Sequence, residues 1–315
     1  MKKYYGDVVL VTGASSGIGK VCAEYLAQMG YRVYGTSRKA PDRPDGYQTA
    51  KGTENNGNGN NAYNPKNEAK SPSIGDAYNI GNSYHNFAQT DVTMIRMDVC
   101  SEESVKAAIN RIIEAEGEIG IVVNNAGIGI AGSVEDTSSD EAFLQMDTNF
   151  FGMHRVIRQV LPHMREKGRG LIINISSVGA LFPIPFQSMY VAAKAAVEGM
   201  TGSLRNELRP FGIKAAFVEP GDTKTGFTGN RLFVKESGEG SAYRQYSKKS
   251  IEVMEKDELN GPDPIVVAKV IARLAKRKNP PVCVTVGLDY KLLVFLKRIV
   301  PRSLESFIVS KMYKC

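Results

Sequence analysis

Short runs of apolar, mostly β-branched residues alternate along the chain with longer segments whose apolar positions recur every three or four residues. The first run is DVVLVT (7–12). After a glycine-rich turn, KVCAEYLAQMG repeats apolar side chains at Val21, Tyr25, Leu26 and Met29, the spacing of one helix face. YRVYGTS (31–37), TMIRMDV (93–99), IGIVVNNAG (119–127), GLIINISS (170–177), IKAAFVEPG (213–221) and PVCVTVG (281–287) are predicted to be further strands. Helices are predicted between them. One opens at Ser101, a plausible N-cap followed by Glu102 and Glu103 in the first turn. One long helix is expected over about 139–167, and others over 190–212 and 263–278. Near-continuous apolar strands alternating with helices point to a parallel sheet covered on both faces, an α/β doubly wound arrangement. Ligands bind such sheets beyond the carboxyl ends of the strands, so the informative loops are those that follow strands.

The length of 315 residues suits one large α/β domain, and no apolar run approaches the ~20 residues needed to span a bilayer. The MKK start leads into a strand rather than a signal-peptide core, so a cytoplasmic location is expected. Cys22, Cys100, Cys283 and Cys315 form no CxxC pair or His/Cys cluster; free thiols are expected, with neither a disulfide framework nor a metal site. The net charge of +7 is local. Residues 276–315 hold nine Lys and Arg against Asp289 and Glu305, which leaves the rest of the chain balanced. Basic residues are not spread over a face interleaved with aromatics, so nucleic acid is not an expected partner.

Two glycine motifs compete for a dinucleotide. GIGIAG (127–132) matches the literal G-x-G-x-x-G spacing, but no helix is predicted to begin at its last glycine, and a flexible turn is expected there. TGASSGIG (12–19) lies between the first strand and the first helix. There Gly13 permits a sharp turn, Gly17 lets the backbone approach a diphosphate, and Gly19 lets the helix pack against the sheet. Farther on, Tyr190 and Lys194 are four apart on a predicted helix and share a face, while Ser177 ends a strand at the crevice. A phenol, a cation and a hydroxyl suit proton transfer to or from a carbonyl or alcohol. A positive charge ~4 Å from a phenol, at an effective dielectric near 20, supplies roughly 4 kcal/mol, about three pKa units. A phenolate near neutrality is therefore expected.

Together TGASSGIG, NNAG (124–127), the Ser177, Tyr190 and Lys194 set and PGDTKT (220–225) resemble the short-chain dehydrogenase/reductases in order and spacing. The resemblance implies a single Rossmann-like domain with a seven-stranded parallel sheet in the order 3-2-1-4-5-6-7. It also implies Tyr190 as acid/base, Lys194 lowering its pKa and binding the nicotinamide ribose, Ser177 holding the substrate oxygen, and Asn149 supporting a proton relay through water. Cofactor contacts are implied for the turn residues Gly13, Ser15, Ser16, Gly17, Ile18 and Gly19. They are also implied for Asp98 and Val99 at the adenine, for Asn125, Ala126 and Gly127 along the cleft, and for Pro220, Gly221, Thr223 and Thr225 near the carboxamide and diphosphate. Ser37 stands where NAD-selective members carry an acid, and Arg38 follows it; a guanidinium pairs with a 2′-phosphate, so NADP(H) is the expected cofactor. A homo-oligomer, dimer or tetramer, is implied as well.

The resemblance leaves three regions over. Residues 40–92 form an insertion rich in Asn, Gly, Pro and Ser, expected at the adenosine-side edge of the sheet and too poor in apolar residues to make a second domain. Residues 222–262 correspond to a mobile substrate lid. Beyond a catalytic domain of residues 1–290, the segment 291–315 places apolar residues at 292, 296, 299, 304, 307, 308 and 312 among Lys and Arg. This is an amphipathic basic helix pair broken at Pro301. It is expected to wall a hydrophobic substrate, steroid-, retinoid- or lipid-like, with peripheral membrane contact less favoured. The expected activity is NADP(H)-dependent interconversion of a secondary alcohol and a ketone or aldehyde. The rivals are 3-oxoacyl-thioester reduction and a non-catalytic NADP(H) sensor.

Overall fold

The computed structural model describes residues 3–40 and 91–314, so the insertion expected over 40–92 falls almost wholly outside the described residues. Seven strands form one sheet: β1 (Val8–Val11), β2 (Arg32–Ser37), β3 (Val92–Arg96), β4 (Ile121–Asn124), β5 (Gly170–Ile175), β6 (Ile213–Glu219) and β7 (Cys283–Thr285). Their order is β3-β2-β1-β4-β5-β6-β7 with every pair parallel. The expected order is therefore the observed one.

Burial on both faces explains the continuous apolar strands. Every residue of β1, β4 and β5 is buried. Side chains alternate across the sheet, so Val8 and Leu10 pack in one layer with Val122, Ile172 and Ala215, while Val9 and Val11 point the other way. The first layer is completed by α2 (Glu102–Glu116), α4 (Gly152–Glu166) and α5 (Ser188–Glu207), through Val105, Ile109 and Ile112 on the first, Val156, Val160 and Met164 on the second, and Val197 and Leu204 on the third. Two helices that pack against each other, α1 (Gly17–Gln28) and α7 (Ile265–Ala275), form the second layer. Ser101 does cap α2, its Oγ accepting from the Ser104 amide at 3.1 Å.

Two expectations need correction. The long helix over 139–167 is broken into α3 (Ser139–Met146), a π-helical turn over Asp147–Phe151, and α4. The wider turn leaves Asn149 fully buried, with its amide gripping the backbone of Ile128 on both sides: Oδ1 accepts from Ile128 N at 2.8 Å and Nδ2 donates to Ile128 O at 2.9 Å. Nor is GIGIAG a flexible turn. Ile130–Ala131 pairs in parallel with Leu232–Phe233, and a Cβ on Gly132 would lie 2.2 Å from Val234 Cγ2, so the glycine is there to admit the lid.

Beyond β6 the chain forms α6 (Arg244–Asn260), and beyond β7 it forms α8 (Leu288–Lys297) and α9 (Arg302–Met312), with Pro301 at the break. Among the described residues no helix is long and apolar enough to cross a membrane.

Candidate active site

Strand order reverses at β1 and β4, and the loops after these two strands are stitched together. The Thr12 hydroxyl accepts from the amides of Asn125 and Ala126, both at 2.9 Å, and Asn125 Nδ2 donates to the carbonyls of Thr12 at 3.0 Å and Gly13 at 3.2 Å. Gly13 and Gly17 have φ of +67° and +54°, conformations that side chains rarely adopt. Gly19 does not line the cleft but sits behind the turn, where a Cβ would come within 2.3 Å of Gly13 O. Ser16 makes no side-chain cap bond and the first turn of α1 carries no acid. Uncapped amides at the positive end of a helix fit a diphosphate.

One cleft of about 1320 Å³ runs from this turn to the C-terminal helices. It gathers Gly13, Ser15, Ser16, Gly17, Ile18, Ser37, Arg38, Asp98, Val99, Asn125, Ala126, Gly127, Asn149, Ser177, Tyr190, Lys194, Pro220, Gly221, Thr223 and Thr225. At one end, Ser37 closes β2 and leaves Arg38 and Lys39 exposed beside the opening. Asp98 accepts from the Cys100 amide at 3.0 Å, which fixes the loop after β3. Thr225 lies 3.4 Å from the Cβ position of Gly17, across the diphosphate turn. The Thr223 hydroxyl donates to Gly221 O at 2.9 Å.

At the other end stand the titratable groups. Tyr190 and Lys194 lie one turn apart on α5 (Ser188–Glu207). Ser177 follows β5, its Oγ accepting from Gly179 N at 3.0 Å, and its hydroxyl is close enough to the Tyr190 phenol to favour the ionised form. Lys194 is 6% exposed; its Nζ donates to Ile175 O at 2.8 Å and lies 5.8 Å from the Tyr190 ring centroid. Burial pushes the Tyr190 phenol up to about 12, against the opposing pull of the Ser177 hydroxyl. Burial likewise pulls Lys194 down to about 8, with Glu198 acting the other way. The expectation of a phenolate near neutrality therefore fails in this arrangement. Desolvation of the anion wins because the Lys194 ammonium is turned to the Ile175 carbonyl and not to the phenol oxygen. A neutral phenol is a proton donor, which is what a carbonyl becoming an alcohol requires.

Several side chains at this end were not legible in the sequence. The Phe227 ring lies 5.8 Å from that of Tyr190 and fills the space over Gly129. The Tyr290 hydroxyl donates to Asp222 Oδ2 at 2.5 Å and accepts from Asp222 N at 3.0 Å, while its ring occupies the Cβ position of Gly221. Gln145 is fully buried and ties Ile128 O to Ile130 N through its amide. Each belongs to a segment remote from the motifs it serves. The one local signal was glycine at 129, 132 and 221, where another segment approaches.

A parallel sheet with a glycine turn at its switch point, and a serine, tyrosine and lysine at the far end of the same cleft, define a dinucleotide-dependent oxidoreductase. The chain belongs to the short-chain dehydrogenase family, whose model matches residues 7–59 and 76–232. It is 38% identical over 281 residues to the 3-ketodihydrosphingosine reductase of Bacteroides thetaiotaomicron, covering 89% of this chain and 88% of the relative. It is 36% identical over 219 residues to retinol dehydrogenase 8 of Bos taurus, covering 67% of this chain and 69% of the relative. A solved short-chain dehydrogenase from Streptomyces avermitilis superposes with a TM-score of 0.69 at 27% identity, over 97% of this chain and 99% of the other. The protein is thus an oxidoreductase of the alcohol and carbonyl type, with a cleft whose residues fit a nicotinamide dinucleotide.

Proposed function

We propose that the protein uses NADPH to reduce the ketone of a long-chain, lipid-like molecule. The observation that carries this reading is the lining of the cleft beyond Tyr190. Leu293, Leu296 and Val300 from α8 and its exit, with Ile308, Val309 and Met312 from α9, face the same cavity as the phenol. Such a wall suits an alkyl chain. Three carboxyls also line the cavity: Asp222, bonded to Tyr290, Glu258, paired with Arg231, and Asp257. A long-chain amino ketone, the substrate class in the name of the Bacteroides thetaiotaomicron reductase, has both the chain and the cationic group that this division accommodates.

Held along residues 13–18 and 125–127, a dinucleotide would supply hydride chemistry at the substrate carbon. The remaining work belongs to the chain. Ser177 and Tyr190 hold the carbonyl oxygen, and Tyr190 passes its proton to that oxygen as the alcohol forms. Lys194, still largely protonated at neutral pH and 5.8 Å from the ring centroid, keeps a positive charge on the same helix face as the phenolate left behind until solvent returns a proton. Asn149 acts by position, holding Ile128 and the wall of the cleft. The choice of NADPH rests on Ser37, Arg38 and Lys39, which offer hydroxyl and cationic groups and no carboxylate where a ribose phosphate would lie.

The test is nicotinamide absorbance with a long-chain 2-amino-3-ketone, retinal and a 3-oxoacyl thioester, each with NADPH and NADH. The reading expects kcat/KM for the amino ketone with NADPH to exceed that for the thioester by at least about tenfold, a difference of ~1.4 kcal/mol in transition-state binding. A preference for the thioester would replace the proposed substrate class.

A further inference from the structure

The segment that walls the cavity, residues 288–312, also carries ten of the 21 exposed large apolar side chains among the described residues. No residue of α8 is buried, and α9 buries only Glu305 and Val309. Leu288 is 81% exposed, Ile299 68%, Leu292 60%, and Phe295 and Phe307 each 59%. A contiguous apolar patch of this kind marks an interaction site rather than ordinary surface. Its charge has one sign. Lys291, Arg298, Arg302, Lys311 and Lys314 are exposed around it against the single exposed acid Asp289, since Glu305 is buried and paired with Lys297. Apolar side chains rimmed by Lys and Arg on short helices are the composition of a segment that lies in a bilayer interface.

The placement adds a second argument. Leu293, Leu296, Ile308 and Met312 belong both to the exposed surface and to the cavity lining, whereas Phe295, Ile299 and Phe307 face outward only. Apolar side chains of the two helices are therefore shared between the solvent-facing surface and the cleft that Tyr190 also lines. A second copy of this chain could cover the outer patch, but its own basic rim would then meet this one, and like charges face to face oppose that pairing.

We propose that α8 and α9 dock on an anionic membrane surface with the cavity mouth toward the lipid, so that the substrate enters from the bilayer without crossing water. The proposal rests on the lipid-like substrate read above. It makes the tail more than a wall. Outward residues hold the enzyme on the membrane, and inward residues of the same helices guide the chain to the phenol.

The experiment uses the full chain and vesicles of phosphatidylcholine alone or with phosphatidylglycerol, with cosedimentation as the readout. The expected result is binding to the anionic vesicles that is at least about tenfold tighter than to the neutral ones and weakens as salt rises. In the variant Phe295→Ser/Ile299→Ser/Phe307→Ser, vesicle binding should fall by at least about tenfold. Turnover of a short, water-soluble ketone should stay unchanged, because none of the three lines the cavity. No binding to either vesicle would overturn the proposal, and so would a dimer in light scattering that the triple variant converts to monomer. Equal binding to both vesicles would overturn the role given to the basic rim. Turnover of the long-chain ketone in detergent micelles separates the two ideas: its absence in a protein that still binds vesicles removes the substrate reading and leaves the docking in place.

Discussion

The two ends of the cleft are built in opposite ways. At the dinucleotide end, one turn of eight residues and one short loop after β4 do most of the work, and they do it with backbone: positive φ at Gly13 and Gly17, and amides held by the Thr12 hydroxyl. At the substrate end the wall is gathered from segments far apart in the chain, such as Asp222 with Tyr290 and Tyr190 with Phe227. A site that depends on backbone shape tolerates few residue types, so it leaves a signature. A site that depends on apolar volume can be filled in many ways and leaves none.

The largest effect expected at either end is from Tyr190→Phe. Removing the proton donor should lower kcat by about 10²–10⁴-fold while dinucleotide affinity, followed by fluorescence titration, stays close to wild type. Turnover near that of wild type would break the assignment of the catalytic end. Next comes Arg38→Ala, which should reduce kcat/KM with NADPH by about 10–100-fold, the equivalent of ~1.5–3 kcal/mol for a charged hydrogen bond, and leave NADH untouched. Equal losses with both dinucleotides would show that Arg38 does not meet the phosphate.

A pair of glycine substitutions tests the contrast directly. Gly19→Ala places a methyl group 2.3 Å from a backbone oxygen, and Gly132→Ala places one 2.2 Å from the tip of Val234. Backbone cannot yield and a side chain can. The first variant should raise the dinucleotide Kd by about tenfold or more, whereas the second should leave that Kd alone and raise the substrate KM by a few-fold. Reversal of that pattern would mean the two ends are not separable.

The smallest effect concerns pH. Burial sets Lys194 near 8 and Tyr190 near 12, so of these two groups only the lysine changes charge between pH 6 and 10, while the neighbouring Glu198 carboxyl, raised to about 7 by burial, ionises at the low end of that range. The lysine cation is present below 8 and lost above, so kcat/KM for ketone reduction should decline as pH rises through about 8. Lys194→Arg, charged throughout, should be slower at every pH and lack that descending limb.

The pattern of apolar runs was enough to find the seven strands and the turn, because a strand buried on both faces admits few alternatives to Val, Ile and Leu; the order of the strands came from the resemblance to the short-chain dehydrogenases. Tyr190, Lys194 and Ser177 were legible by spacing and place. The π turn at Asp147–Phe151 was not, since it differs from a continuous helix by one added residue per turn and carries no composition of its own. The phenol's pKa was misjudged for a related reason. Sequence gives the distance along α5 between Tyr190 and Lys194, but not that the ammonium bends to Ile175 or that both groups lose their water. Phe227 and Tyr290 escaped because a lone aromatic in a polar segment has many ordinary uses, and only the fold shows which glycine each one covers.

A parallel sheet has a polarity that also governs how the protein can be handled. All seven strands send their carboxyl ends toward the cleft, so the chain enters β1 from the opposite side of the molecule, while Tyr313 lines the cleft itself. A purification tag ahead of β1 should be silent. The same tag following the C-terminal residue, close behind Tyr313, would stand beside the cleft, and a preparation carrying it would report on the tag as much as on the enzyme.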